Sequence, residues 1–164
     1  MDGWLIAIIA ITSIFICLVV LISILYYRNK KKARIKRKIR GLANNTLEMT
    51  PEEFFAMRKA SLGGKGSPSY ALTMNFAGVY ILYNSTKNKY YVGQGKEVLN
   101  RVNSHFTSKG NGDVYADYKY GDEFTIKMIA LKGSKFSTLN ELERNTILTY
   151  DAFSSGYNKT RGNK

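Results

Sequence analysis

The sequence has almost none of the residue types that build disulfides and zinc sites. Its 164 residues include one cysteine, Cys17, and one histidine, His105. A single cysteine excludes an intrachain disulfide, which fits a reducing compartment. One cysteine and one histidine cannot supply the usual ligand sets for zinc. The chain therefore folds without a disulfide framework and without a structural zinc site of the common kinds.

Acidic residues are also scarce, and the resulting positive charge is unevenly distributed. The chain has 12 Asp and Glu against 25 Lys and Arg, a formal net charge of +13. Residues 28–40 contain nine Lys and Arg and no acid, whereas residues 74–164 contain 13 basic and 8 acidic residues. The high net charge thus reflects one short basic run, and the larger C-terminal part is only mildly basic.

The longest stretch without charge is residues 4–27, which is dominated by Ile, Leu, Val, Phe and Ala. As a helix these 24 residues would extend about 36 Å, enough to cross a hydrocarbon core of about 30 Å. Trp4 at one end and Tyr26 and Tyr27 at the other suit the two membrane interfaces. A cleaved signal peptide is the alternative, but the run exceeds the roughly 7–15 apolar residues of a signal peptide and has its basic residues behind it. We predict a single transmembrane anchor.

The basic run, residues 28–40, follows the apolar stretch directly. The positive-inside rule then places everything C-terminal to it in the cytoplasm. The same side chains would attract anionic lipid headgroups, at about 1 kcal/mol per basic residue. They could also contact nucleic-acid phosphates. Beside a membrane span, we expect orientation and headgroup contact to be their main roles.

A short helix and a linker precede the C-terminal domain. Thr50, Pro51 and Glu53 form a capping-box pattern that predicts a helix ending near Lys59. Residues 62–69 are rich in Gly and Ser and are typical of a flexible linker. We therefore divide the chain into an anchor, a juxtamembrane segment with linker, and a globular domain: residues 1–27, 28–73 and 74–164.

Two β-prone runs, residues 76–84 and 89–94, flank a polar turn and predict a β-hairpin. Closing the turn with Ser85 and Thr86 would set Tyr80 directly opposite Tyr91 on one face of the sheet. This register is a hypothesis, because a one-residue slip would separate the two hydroxyl groups. Tyrosines packed on a core would give the same pattern.

The helix predicted for residues 98–108 has an apolar stripe that includes Val98, Val102 and Phe106. Arg101 and His105 are four residues apart and so share one face beside this stripe. We expect both at the edge of the packed side, where the helix meets the sheet.

The remaining segments complete the expected fold. Residues 109–123 lack helical periodicity and predict a surface loop with a short ordered piece at residues 114–118. The tyrosines of this loop could stack on bases, but its four acids favour a solvated loop. Residues 124–131 predict a third strand, and residues 138–150 a second long helix. The fold class is α/β (α+β), a small three-stranded antiparallel sheet flanked by helices.

Glu143 is singled out by its place on the second helix. A helical wheel puts it inside the apolar stripe, whereas Glu141 points away and serves as the capping partner of Thr138. A carboxylate on an apolar face is costly unless it is paired or binds a cation. The alternatives to a cation are an ion pair with Arg101 and a buried hydrogen bond to a tyrosine.

Taken together, these features resemble the GIY-YIG endonucleases, a family that includes homing endonucleases, restriction enzymes and a bacterial excision-repair nuclease. The resemblance covers about residues 75–158 and rests on five elements in the family's order: Gly78-Val79-Tyr80, Tyr91-Val92-Gly93, Arg101 with His105, Leu142-Glu143, and Gly156-Tyr157-Asn158.

The resemblance implies an active site and a one-metal mechanism. Glu143 would bind one Mg²⁺ or Mn²⁺ ion, and Arg101 would hold a phosphate oxygen. Tyr91 or Tyr80 would accept the proton of the attacking water, and His105 would assist proton transfer. The expected catalytic residues are Tyr80, Tyr91, Arg101, His105 and Glu143. The expected binding residues are Gly93, Lys96 and Asn158, with Gly93 allowing close backbone approach.

Two departures from the family qualify the expected activity. Gln94 stands where the repair nuclease has a lysine, a loss for which Lys96 could compensate. The sequence shows no separate DNA-binding domain after the resemblance, so recognition would depend on a partner protein, on substrate structure or on membrane location. We expect a membrane-anchored, metal-dependent endonuclease of DNA, with RNA as the second candidate. The alternative is a catalytically inactive, membrane-tethered nucleic-acid-binding module on the same fold.

Overall fold

A computed structural model describes residues 3–60 and 68–163 of the chain. The chain forms two compact units, one ending at Arg37 and the other beginning at Lys38. The elements in chain order are α1 (Gly3–Asn44), α2 (Pro51–Lys59), α3 (Tyr70–Thr73), β1 (Gly78–Asn84), β2 (Lys89–Gly95), α4 (Val98–Phe106), α5 (Gly112–Lys119), β3 (Phe124–Ala130) and α6 (Leu139–Tyr150).

The first unit consists of the N-terminal part of α1. Apolar side chains along it, such as Phe15 and Leu21, are more than half exposed. The helix is long and apolar enough to cross a membrane by length and composition. The predicted linker, residues 62–69, lies mostly outside the described residues.

The second unit contains the predicted three-stranded antiparallel sheet, in the order β2-β1-β3. One face carries Tyr80 and Leu82, which share a core with α4 residues such as Val102. The other face carries Tyr90 and Gln94, which contact α6. The expected fold class is confirmed, and the sheet separates two helical layers.

The second unit begins well before residue 74, the residue at which we began the globular domain from the sequence. Met49 extends the sheet beside β3, donating its backbone N–H to Ile126 O at 3.2 Å and accepting from Ile126 N at 2.8 Å. Phe54 on α2 is fully buried in the core. The capping box of α2 is present with both of its hydrogen bonds. The short helix therefore contributes to the core of the domain.

The predicted register of the hairpin is wrong by two residues. Tyr80 pairs with Gly93, and Tyr91 pairs with Leu82. The strands end at Asn84 and Lys89, so the turn contains four residues, and the Asn84 Oδ1 atom accepts a hydrogen bond from Lys87 N at 2.9 Å. A shift of two residues preserves the face of each side chain, so Tyr80 and Tyr91 remain on the same side as diagonal neighbours.

The loop predicted for residues 109–123 contains a helix, α5. Asn111 caps it by accepting a hydrogen bond from Val114 N at 3.0 Å. Val114 is the one buried residue of this helix, so the segment has no apolar periodicity to reveal it. The cap was the signal that the sequence analysis missed.

The start of α6 is close to the prediction. Thr138 accepts from Glu141 N at 3.1 Å, as expected of the N-cap. The Glu141 carboxylate, however, accepts from Ser137 N at 3.0 Å, one residue before the expected partner. Glu141 is thus used locally at the helix start, and Glu143 lies on the buried side.

Candidate active site

Tyr80 lies across the backbone of the neighbouring strand, in a space that glycine alone leaves open. Its side chain is fully buried. A Cβ atom on Gly93, its cross-strand partner, would lie 2.3 Å from the Tyr80 hydroxyl oxygen. Such a contact is far inside van der Waals distance, so any other residue at 93 would displace the tyrosine. The close approach that we expected at Gly93 is thus made by Tyr80.

His105 joins Tyr80 from α4 and is 1% exposed, deeper than the edge position that we predicted. Its Nε2 atom lies 2.8 Å from the Tyr80 hydroxyl oxygen. Its Nδ1 atom accepts a hydrogen bond from the backbone N–H of Asn111 at 2.8 Å. A ring nitrogen that accepts carries no proton, so the proton of the neutral imidazole is on Nε2. His105 therefore donates to Tyr80.

The environment keeps His105 in this neutral form. Burial, and then the nearby positive charge of Arg101, lower the pKa of His105 to about 4. Protonation would also place a proton on Nδ1 against the Asn111 N–H. The imidazole is therefore uncharged at neutral pH.

Tyr91 is the half-buried member of the tyrosine pair. Its ring centroid is 4.7 Å from that of His105 and 6.2 Å from that of Tyr80. Burial raises the pKa of Tyr91, and the charge of Arg101 and the neighbouring Tyr80 hydroxyl group oppose this rise. Burial raises the pKa of Tyr80 as well, with further contributions from Tyr91.

These hydrogen bonds run in one direction. The donors run from Asn111 N–H to His105 and from His105 to the Tyr80 oxygen, so the proton of Tyr80 is not used by His105. The Tyr91 ring is the next group, with its centroid 6.2 Å from that of Tyr80. We call this series the donor chain, and it ends beside Tyr91, the tyrosine that reaches solvent.

Arg101 lies over the end of β2 and is exposed. A Cβ atom on Gly95 would be 2.8 Å from the Arg101 Cγ atom, so Gly95 leaves room for the arginine side chain. The guanidinium charge lowers the pKa of Tyr80, Tyr91 and His105. It thereby favours the charged form of both phenols.

Glu143 comes from α6, on the other side of the sheet, and is 7% exposed. Its Oε2 atom accepts from Gln94 Nε2 at 3.1 Å and from Asn163 N at 3.2 Å, with Asn163 Nδ2 at 3.5 Å. Burial raises the pKa of Glu143, and the hydrogen bonds from Asn163 and Gln94 oppose that rise. Its charge in turn raises the pKa of Tyr91, which places the two groups in electrostatic range.

Among the described residues, Glu143 makes neither the ion pair with Arg101 nor the hydrogen bond to a tyrosine that were the alternatives to a cation. No ion pair among the described residues includes Glu143, and the donors that reach it there are amides. All of these donors reach the same oxygen, Oε2. The carboxylate is therefore stabilised by neutral donors on one oxygen, and Oε1 is the oxygen suited to bind a cation.

The residues fit a hard cation held by one carboxylate. Within residues 3–60 and 68–163, no three His, Cys, Asp or Glu side chains group closely enough to form a metal site. Mg²⁺ accepts a site with one or two carboxylates, because it retains several waters and binds substrate phosphate oxygens. Glu143 is suited to such an ion for two reasons. Burial disfavours its negative charge, which a cation would balance, and its hydrogen-bond donors all reach one oxygen, Oε2.

The predicted binding residues differ in what they contact. The Asn158 Oδ1 atom accepts from Val92 N at 2.8 Å, and its Nδ2 atom donates to Val92 O at 2.7 Å. Asn158 thus pairs with the open edge of β2 beside Tyr91 and stabilises that strand. Lys96 is exposed in the turn after β2.

The Gln94 side chain is directed at α6 and not at a tyrosine that it could assist. Its Nε2 atom donates to Asn140 Oδ1 at 2.7 Å and to Glu143. Two further parts of the site were not predicted from the sequence: Asn163 and the Gly110–Asn111 segment, which hold Glu143 and His105 through backbone N–H groups. Because every residue except proline has a backbone N–H group, residue types do not reveal which of these groups will act as donors.

Comparison with known proteins assigns the sequence to a family. A family model described as the GIY-YIG catalytic domain matches residues 76–158, just over half of the chain. Neither the curated proteins nor the solved structures contain a significant match. The matched segment includes β1, β2, α4 and α6, which carry the tyrosines, His105 and Glu143. On this match, the chain belongs to the GIY-YIG catalytic domain family, and its function is of the nuclease type.

Proposed function

We propose that this protein is a metal-dependent endonuclease that hydrolyses phosphodiester bonds of DNA, with RNA as the second candidate substrate. The observation that carries the proposal is the donor chain, which runs through the buried Tyr80 and has the half-buried Tyr91 beside it, with the buried Glu143 held against Gln94 of the same strand, β2. Hydrolysis needs a proton acceptor for water and positive charge against the phosphate, held in fixed geometry. The residues around Tyr91 offer these together.

Tyr91 is the proton acceptor in this proposal. Tyr80 is fully buried and cannot meet a water molecule directly, whereas Tyr91 is half-buried. Water attacks phosphorus as its proton passes to the Tyr91 phenolate, and the bond from phosphorus to the leaving oxygen breaks. The leaving oxygen departs with the electron pair and takes a proton from solvent water. Burial raises the pKa of Tyr91, and the charge of Arg101 opposes that rise and so favours the phenolate.

Arg101 and Glu143 bind the remaining components. Arg101 is exposed beside the two tyrosines, so its planar guanidinium can hold two oxygens of the scissile phosphate. Glu143 would hold the Mg²⁺ or Mn²⁺ ion through Oε1. The ion, when bound, supplies positive charge that stabilises the phosphate and lowers the pKa of nearby acids.

One observation favours the alternative, a catalytically inactive nucleic-acid-binding module. Gln94 places a neutral amide on Glu143, where the repair nuclease has a lysine that could bring a positive charge to the site. A neutral donor stabilises a carboxylate less than a charged one. Cleavage assays therefore decide between the two functions.

We also propose that α1 anchors the protein in a membrane, with the second unit in the cytoplasm. Support comes from the exposed apolar side chains along the helix and from the nine basic residues at positions 28–40. Substrate recognition would then depend on a partner protein, on substrate structure or on membrane location.

The topology is tested with protease on intact cells. Because the basic run orients the anchor, the C-terminal domain should be protected until the cells are lysed. The readout is an immunoblot against a C-terminal tag. Digestion of the domain without lysis would contradict the orientation.

Substitution of Glu143 tests the metal site, with Glu141 as the matched control two residues away. Glu143→Gln should lower the cleavage rate by more than about 100-fold, because it removes the charge that holds the cation. Glu141→Gln should leave the rate nearly unchanged, because it lies at the helix start. The measurement is single-turnover cleavage of mixed DNA and RNA substrates with and without Mg²⁺. Equal rates for Glu143→Gln and the parent would favour the binding module.

The same variant has an expected effect on stability. Since the pKa of Glu143 is raised on folding, the folded state binds its proton more tightly than the unfolded state. Stability from this group is therefore present at low pH and declines as pH rises through the raised pKa. Glu143→Gln removes the decline, so the metal-free variant should melt no lower than the parent at neutral pH. Mg²⁺ should raise the melting temperature of the parent alone.

The pH dependence of cleavage tests the role of His105. With Tyr91 as the base, the rate should rise with pH into the alkaline range. No inflection should appear near 6.5, because the pKa of His105 is about 4. His105→Gln, which retains an N–H donor, should keep more activity than His105→Ala. An inflection near 6.5 that disappears in His105→Gln would show instead that His105 titrates during the reaction.

A further inference from the structure

We propose that the Gly110–Asn111 segment is a positioning element, which fixes the tautomer of His105 and thereby the direction of the donor chain. Neither residue belongs to the motifs that identify the family in this sequence. Its effect on the histidine is a property of the fold. Its effect on cleavage rests on the proposed nuclease function.

A glycine is required at position 110 because a side chain there would collide with His105. A Cβ atom at this position would lie 2.5 Å from His105 Nδ1 and 2.8 Å from His105 Cα. Its backbone is outside the left-handed region, so conformational freedom does not explain the glycine. The absence of a side chain lets the backbone pass closely enough for the next N–H group to reach the imidazole.

The side chain of Asn111 makes two further contacts that hold this residue in place. Its Oδ1 atom caps α5 by accepting from Val114 N at 3.0 Å, and its Nδ2 atom lies 3.5 Å from Tyr157 O. Tyr157 in turn donates its hydroxyl to Asp117 of α5 at 2.6 Å and accepts from the buried Asn84. The N–H of Asn111 therefore has a fixed direction, set by a helix start and by the C-terminal segment.

The fixed N–H selects one of two tautomers. A proton on Nδ1 would face the Asn111 N–H and leave two donors in contact. With the proton on Nε2, the imidazole donates to the Tyr80 oxygen. In the other tautomer, Nε2 would accept a hydrogen bond from the Tyr80 hydroxyl group, and the direction of the chain would reverse. The segment thus determines that the Tyr80 proton is left free on the side of the donor chain where the Tyr91 ring lies.

The first experiment compares two glycines that are two residues apart. Gly110→Ala places a methyl group against His105, whereas Gly112→Ala meets nothing within 4 Å. His105 is the one histidine of the chain, so its ¹⁵N NMR signals in the full chain in detergent are unambiguous. We expect Gly110→Ala to change the protonation pattern of the ring nitrogens and to lower Mg²⁺-dependent cleavage about 10–100-fold, as for other groups that orient an active residue. Gly112→Ala should do neither.

A second pair isolates the backbone hydrogen bond, in case Gly110→Ala does not fold. Asn111→Pro deletes the N–H, and the native φ of −72° suits proline. Asn111→Ala keeps the N–H but loses the cap and the contact with Tyr157. Both should melt below the parent because both lose the cap. Asn111→Pro alone should lose the Nε2–H pattern and about 10–100-fold in cleavage.

The outcomes separate this inference from the proposed function. Equal losses in Asn111→Pro and Asn111→Ala would make the segment structural only and overturn the inference. An unchanged NMR pattern in Asn111→Pro would overturn it as well. If the parent cleaves no substrate, the proposed function fails, and the NMR comparison still decides whether the segment sets the tautomer.

Discussion

The hydroxyl group of Tyr80 is fully buried, and a buried hydroxyl without a partner costs free energy that a small domain cannot easily supply. Its partner is His105, which must itself be buried and neutral to reach it. The tyrosine needs the empty space over Gly93, and the histidine needs the close passage of Gly110. The hairpin, α4 and the start of α5 are thus placed by one hydrogen bond in the core.

Burial gives this hydrogen bond its functional value. In a medium of low dielectric, a fixed donor has a larger effect on a neighbouring phenol than it would in water. The series from Asn111 to Tyr80 brings that effect beside Tyr91, in the part of the site that solvent reaches. Glu143 lies in the opposite helical layer, held by Gln94 and Asn163, and its charge raises the pKa of Tyr91. The active site therefore lies where β2 meets both layers, and Asn158 secures the edge of that strand.

Much of this arrangement could be predicted from the periodicity of the side chains in the sequence. The hairpin, the face shared by Tyr80 and Tyr91, and the unusual position of Glu143 follow from patterns of two and of 3.6 residues. The register did not follow, because a two-residue shift leaves that pattern intact, and the four-residue turn depends on the hydrogen bond between Asn84 and Lys87. The clue to the register was Gly93, which must face the bulk of Tyr80.

Other features were hidden because their chemistry is in the backbone. The N–H groups of Asn111 and Asn163 hold His105 and Glu143, two buried titratable residues of the site, and any residue type except proline has such a group. The helix α5 was missed because one buried residue gives no period. The burial of α2 was not predicted because its partner, the β3 edge, is distant in sequence.

The central claim is that the donor chain ends beside Tyr91 and that Tyr91 is the proton acceptor. Fluorotyrosine, whose phenol is more acidic, can be introduced at position 91 or at position 80, and the pH profile of cleavage recorded for each. The account predicts that fluorination at Tyr91 shifts the alkaline limb of the profile to lower pH by about the difference between the two phenol pKa values. Fluorination at the buried Tyr80 should leave the position of that limb nearly unchanged. A shift at position 80 with none at position 91 would show that the proton goes to Tyr80 and would contradict the account.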